Sequence, residues 1–102
     1  MLSLMAMSPR LLRPRRRLTV PGAPTITLAD GSSGQLVWTA PASNGGSSIT
    51  AYRIYEDDFF VEAVNGNVLT WPSIAGPGTA YSVSAVNVIG EGPKSSAFVA
   101  TA

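Results

Sequence analysis

Glu56, Asp57, Asp58 and Glu62 place four carboxylates within seven residues, and carboxylates this close can exchange protons with a substrate or hold a calcium ion. Calcium loops space their ligands at alternate positions and turn the chain on a glycine. The stretch EDDFFVE does neither, so these acids are read as a solvated loop and no metal site is expected. Ser32, Ser33, Ser43, Ser47 and Ser48 lie in turn sequences, and a serine hydroxyl needs a neighbouring base before it attacks anything. The chain has no histidine and no cysteine, which removes the commonest general base, the thiol nucleophile and the usual transition-metal ligands together. The glycine-containing runs SNGGSS and IGEGPK lack both the lysine spacing and the following helix of a phosphate loop. Catalytic, cofactor-binding and metal-binding residues are therefore all expected to be absent, and the chain is read as a non-enzyme.

The remaining chemistry is that of contact. Phe59 and Phe60 are adjacent, so on a strand one ring points inward and the other toward solvent or a partner. Tyr55, Phe60 and Trp71 are the candidates for a flat aromatic platform of the kind that binds sugars. The run Ile89-Gly90-Glu91 is a candidate contact loop. Arg10, Arg13, Arg15, Arg16 and Arg17 form a basic run without a single acid among residues 1–20, whereas residues 21–102 carry six acids against Arg53 and Lys94. The net charge of +1 thus divides into an arm of +5 and a body of −4 (two bases less six acids).

The elements that must position these groups are strands. The 102 residues, 45% of them hydrophobic, suffice for one domain with its own core. Without cysteine that core must be held by packing and hydrogen bonds alone. From Pro24 onward, short runs rich in Thr, Val, Ile and aromatic residues alternate with turn signals: TITLA, QLVWTA, ITAYRIYE, FFVEA, NVLTW, YSVSAVNV and SSAFVATA. Seven strands in this pattern predict an all-β antiparallel sandwich. Period-two alternation puts Leu36 with Trp38, Tyr52 with Ile54, and Tyr81 with Val83 on inward faces. Trp71, alternating with Leu69, is read as core too. Each buried aromatic contributes about 150–250 Å², and Trp38→Ala is expected to cost about 3–5 kcal/mol. No run approaches the roughly 18 apolar residues needed to span a bilayer as a helix.

Six pieces in order then resemble a fibronectin type III domain over residues 21–102: Pro21-Gly-Ala-Pro24, Trp38-Thr-Ala-Pro41, Asn44-Gly45-Gly46 leading to Ile49 and Tyr52-Arg-Ile-Tyr55, Gly78-Thr79-Ala-Tyr81, Ala85-Val-Asn87, and Gly90-Glu-Gly92-Pro93. The resemblance implies a seven-stranded Ig-like sandwich and a role in binding. Tyr81 and Asn87 are closer together than is usual in the family. Either the penultimate strand is short here or Tyr81 is not the corner tyrosine. Asn87 ends that strand, and Val88 to Lys94 form the following turn, the loop by which adhesive members contact partners. Ile-Gly-Glu stands where some of those carry Arg-Gly-Asp, so integrin binding is not supported.

The domain boundary is placed near Val20, where composition changes and Pro21, Gly22 and Pro24 begin. In residues 1–20 the apolar piece LSLMAM precedes the arginines, the reverse of a secretory signal. The twin arginines lack the apolar core of the signal that uses them, and Pro9 and Pro14 break an amphipathic transit helix. Two readings stay open: an unordered or mis-assigned start, and a basic arm that orders on a partner. The arm has three possible targets, namely an acidic neighbouring subunit, nucleic acid through a few phosphates, or a membrane surface with LSLMAM as a shallow anchor. The PASNGGSSITAYRIY style of turn is similar to that of fibronectin-like modules in bacterial secreted enzymes and in bacteriophage tail and capsid proteins. The expectation is a small structural or accessory protein of an assembly such as a virion. A carbohydrate- or cell-surface-binding adhesion module is the alternative, and the location is virion or extracellular.

Overall fold

The computed structural model describes residues 17–72 and 74–102. Eight strands follow one another without a helix among the described residues: β1 (Thr25–Asp30), β2 (Gln35–Thr39), β3 (Ala51–Glu56), β4 (Phe59–Asn65), β5 (Thr70–Trp71), β6 (Ala80–Val86), β7 (Glu91–Lys94) and β8 (Phe98–Val99). One sheet has the order β1-β2-β5, and the other runs β4-β3-β6-β7 with β8 also pairing β6. All the strand ladders are antiparallel, and one parallel bridge from Asp30 to Thr101 ties the chain end to β1.

The alternation of apolar and polar side chains becomes the core directly. Leu36 and Trp38 of β2, Tyr52 and Ile54 of β3, and Tyr81, Val83 and Ala85 of β6 are all buried between the sheets, joined by Ile26, Ala29, Trp71 and Ala100. Trp38 meets Tyr52 edge to face at 5.6 Å between ring centroids, and Trp71 meets Tyr81 in the same way at 6.2 Å. Such pairs add about 0.5–1.5 kcal/mol beyond the area they bury.

The strand count differs from the seven expected, and the difference lies in the last stretch. Glu91-Gly92-Pro93-Lys94, read as turn, is strand β7, and a separate short β8 follows it. The register of β7 on β6 shifts between Ser84 and Val86, and at such a bulge Pro93 sits without needing a ladder donor. Gly92 is required there because a Cβ would lie 2.1 Å from the Pro21 carbonyl oxygen. Ser95 extends the pairing beyond β7. Its N–H donates to Val83 O at 2.7 Å, while its hydroxyl accepts from Val83 N–H at 3.0 Å, so a side-chain oxygen replaces the backbone acceptor.

Tyr81 does serve the corner. Its hydroxyl accepts from the Ala75 N–H, six residues upstream, and donates to Glu56 at 2.9 Å. The strand that carries it, β6, runs seven residues and ends at Val86. The β3–β4 hairpin turns on Asp57 and Asp58, both with left-handed backbone (φ 49° and 70°). This is the two-residue turn whose twist matches the flanking strands and whose centre tolerates aspartate.

Candidate interaction surface

Period-two alternation that buries Tyr52 and Ile54 turns Arg53 and Tyr55 of β3 to the outer face of the five-stranded sheet. There β4 brings Phe60 opposite Tyr55, and β6 and β7 bring Ser84, Glu91 and Lys94. The Arg53 guanidinium lies 4.1 Å from the Phe60 ring centroid and Lys94 Nζ lies 4.2 Å from that of Tyr55, both within cation–π range. Arg53 Nε donates to the Tyr55 hydroxyl at 3.1 Å. Tyr55 and Ser84 both donate to Glu91 Oε2, which also lies 3.5 Å from Arg53 Nε. Burial pushes the Glu91 carboxyl up, but the Ser84 and Tyr55 hydroxyls and the charges of Arg53 and Lys94 outweigh it and hold the group below the ordinary glutamate range. The Tyr55 hydrogen bond chiefly holds Arg53 charged, as do Tyr55 and Glu91 electrostatically, against a smaller desolvation effect.

This network alters the placement of the loop candidates. Glu91 opens β7, and its carboxylate is engaged across the sheet. Ile89, with its neighbour Val88, stands out at 51% and 71% exposure. Gly90 takes φ 153° and lies close to Val20. The loop that projects is therefore Val88 to Gly90, shorter than the Val88 to Lys94 turn expected.

Asn87 organises that end of the domain. It is 3% exposed, and its Nδ2 donates to the carbonyls of Thr19 and Asn44, each at 2.8 Å. Its Oδ1 accepts from Ile89 N–H at 2.8 Å and Gly90 N–H at 3.3 Å. Thr19 N–H donates in turn to Gly45 O at 3.0 Å. Gly45, with φ 76°, accommodates this approach, since a Cβ would lie 2.1 Å from Thr19 O. Thr19 and Val20, on the arm side of the boundary read from composition, are thus bonded to or packed on the loops of the sandwich.

The aromatic candidates separate. Trp71 is buried at 5% exposure and donates its indole N–H to Glu62 at 3.1 Å. Tyr55 is 7% exposed, and its ring meets Phe60 at 68°. Phe60 is half exposed, with Arg53 over its ring. The three rings do not form a flat platform. Phe59, Phe60 and Val61 are instead successive exposed residues at 76%, 49% and 41% on β4, an edge strand with its second side unpaired.

Of the carboxylates in the middle of the chain, Glu56 is bonded to Tyr81 and Glu62 to Trp71. Asp57 accepts from Ala80 N–H at 3.2 Å, and Asp58 faces Lys94 at 3.4 Å. Among the described residues no group of three or more acids is arranged to hold a metal ion, and no helix is long and apolar enough to cross a membrane. Of the arm candidates, Arg17 is described and exposed, while Arg10, Arg13, Arg15 and Arg16 lie outside the described residues. Sequence reasoning missed the Arg53–Tyr55–Glu91–Ser84 network. The i, i+2 spacing of Arg53 and Tyr55 signalled a shared face, but nothing local pointed to Glu91, 36 residues further along.

No family model matches the chain, and no curated protein matches it. Solved structures do. The chain is similar to titin kinase and its flanking domains at 25% identity and TM-score 0.60, covering 76% of this chain and 16% of that one. It is similar to titin domains A168–A170 at 27% identity and TM-score 0.52, covering 81% and 33%. This chain therefore spans well under half of either titin structure. A third likeness, in fold alone, is to the sixth fibronectin type III domain of human fibronectin type III domain containing protein 3, at 24% identity and TM-score 0.55, covering 87% of this chain and 89% of that domain. The two antiparallel sheets and these neighbours give the chain a fibronectin type III/Ig-like fold.

Proposed function

We propose that this chain is a non-enzymatic protein-interaction module, a small structural or accessory subunit of a larger assembly such as a bacteriophage capsid or tail, whose arginine-rich N-terminal stretch docks on a neighbouring subunit. A virion or extracellular location goes with this reading. The observation that carries it is how the polar groups are used. Glu91, Arg53, Tyr55, Glu56, Glu62 and Asn87 are committed to bonds within the domain, leaving apolar side chains and unequally divided charge as the groups available to a partner. Interaction surfaces are built from such groups. Fold alone carries no function, so the test is direct. Native mass spectrometry and limited proteolysis of the full chain are compared with those of an Arg13→Gln/Arg15→Gln/Arg16→Gln variant. A defined oligomer with residues 1–17 protected, lost in the variant, supports the reading. A monomer whose arm is cleaved at once, for both proteins, overturns it.

A further inference from the structure

We propose that the receptor for the arginine run is the β4 edge and adjoining Asp57–Asp58 turn of a neighbouring copy of this chain. The inference rests on the docking reading above and specifies its surface. β4 is seven residues long, about 23 Å at the usual rise, and only its β3 side is paired. An edge of this length is ordinarily blunted by lysine, proline, inward-pointing charge or a bulge. β4 has no lysine and no proline, its single acid, Glu62, is held by Trp71, and its one irregularity is the register shift at Val61, between the Glu62 and Phe60 pairs. Phe59, Phe60 and Val61 are exposed along it, so an added strand would find both free backbone groups and apolar contacts there.

Charge selects the occupant. The stretch from Glu56 to Glu62 holds four acids and no base. Asp58, 86% exposed at its side chain, has Lys94 Nζ 3.4 Å away. Residues 10–17, RLLRPRRR, offer five arginines, no acid, and Leu11 and Leu12 for the apolar part of the edge. Pro14 is tolerated in an outer strand where its missing N–H faces solvent.

Reach places the contact between copies. Thr19 is anchored to Asn87 and Gly45, at the end of the sandwich where Ala51 pairs with Val86. The acids of the hairpin lie at the other end of β3, six residues or roughly 20 Å away. Arg15, Arg16 and Arg17 are within four residues of Thr19, about 13 Å of extended chain. Arg15, Arg16 and Arg17 therefore fall short of the acids of their own domain, and only Arg13 and Arg10, six and nine residues from Thr19, could span the distance, whereas a second copy can present its edge to the whole run.

The test is self-association of the full chain by sedimentation, at about 0.05 and about 0.5 M salt, conditions that bracket strong and weak screening. Asp57→Asn/Asp58→Asn removes two charges while keeping a residue that tolerates left-handed backbone. Val61→Lys blocks the edge without touching those acids, and Asp30→Asn is a remote charge control. Circular dichroism confirms that each variant folds. The expected result is association weakened about tenfold or more by high salt, by the acid pair and by Val61→Lys, and unchanged by Asp30→Asn. If the wild type associates, the arginine variant dissociates, and both the acid and the edge variants behave as wild type, the receptor assignment is overturned while arm docking stands. If the wild type is monomeric up to about 0.2 mM, both fall together.

Discussion

Asn87→Ala tests whether one buried amide holds three separate pieces of chain together. The substitution removes two donated bonds, to Thr19 O and Asn44 O, one good accepted bond from Ile89 N–H, and a fourth, long one from Gly90 N–H. Each ordinary bond contributes about 1 kcal/mol net, and a buried partner left unpaired costs more. Thr19 and Ile89 are exposed, so water replaces part of what they lose. The expected destabilisation is about 2–3 kcal/mol, or about 10–20 °C in the melting temperature of a domain this size. The assay is thermal and urea unfolding, coupled to trypsin cleavage after Arg17 under conditions where both proteins are folded. Release of Thr19 should speed that cleavage. Asn87→Asp would keep the acceptor for Ile89 N–H and Gly90 N–H while losing both donated bonds, so it too should be destabilised. A loss under about 1 kcal/mol for Asn87→Ala, with Arg17 cleavage unchanged, would refute the reasoning.

Three further outcomes follow from the same geometry. Because the Glu91 carboxyl is held below its ordinary value, its stabilising contribution is present above the unfolded pKa and lost as pH falls through the folded one; Glu91→Gln should flatten the acid limb of a pH–stability curve, modestly because the side chain is 35% exposed. Tyr81→Phe leaves the Ala75 N–H and Glu56 without their partner and should cost about 1–2 kcal/mol by urea unfolding, whereas a hydroxyl that did nothing at the corner would cost nothing. Gly92→Ala forces a Cβ onto the Pro21 carbonyl and should cost more than about 2 kcal/mol in thermal unfolding, well beyond Gly76→Ala, where no atom lies within 4 Å.

Much of the sandwich was legible because alternation is a local property. Leu36 and Trp38, Tyr52 and Ile54, Tyr81 and Val83 share faces through a two-residue period that any strand geometry preserves, and all six are buried. The Asn44-Gly45-Gly46 turn was legible for a similar reason, since Gly45 acts through its own backbone angle, whereas the left-handed Asp57 and Asp58 were read only as part of a solvated loop. The candidate surface was less so. Phe60 could be nominated for exposure, but its covering by Arg53 depends on the β3–β4 register, which shifts between Ile54 and Tyr55.

The amino-acid sequence alone determined the fold class, the pairing of core faces, the lack of histidine and cysteine and the division of charge, all consequences of residue type and short spacing. Tertiary structure decided that Gly92 and Pro93 lie in a strand, that Tyr81 reaches Ala75, that Glu91 belongs to the network of Arg53 and Tyr55, and that Thr19 is part of the domain. Each of these is a contact between segments far apart in the chain, set by register, bulges and the close approach of backbones, and a one-residue shift in any of them would send the same side chains to different partners.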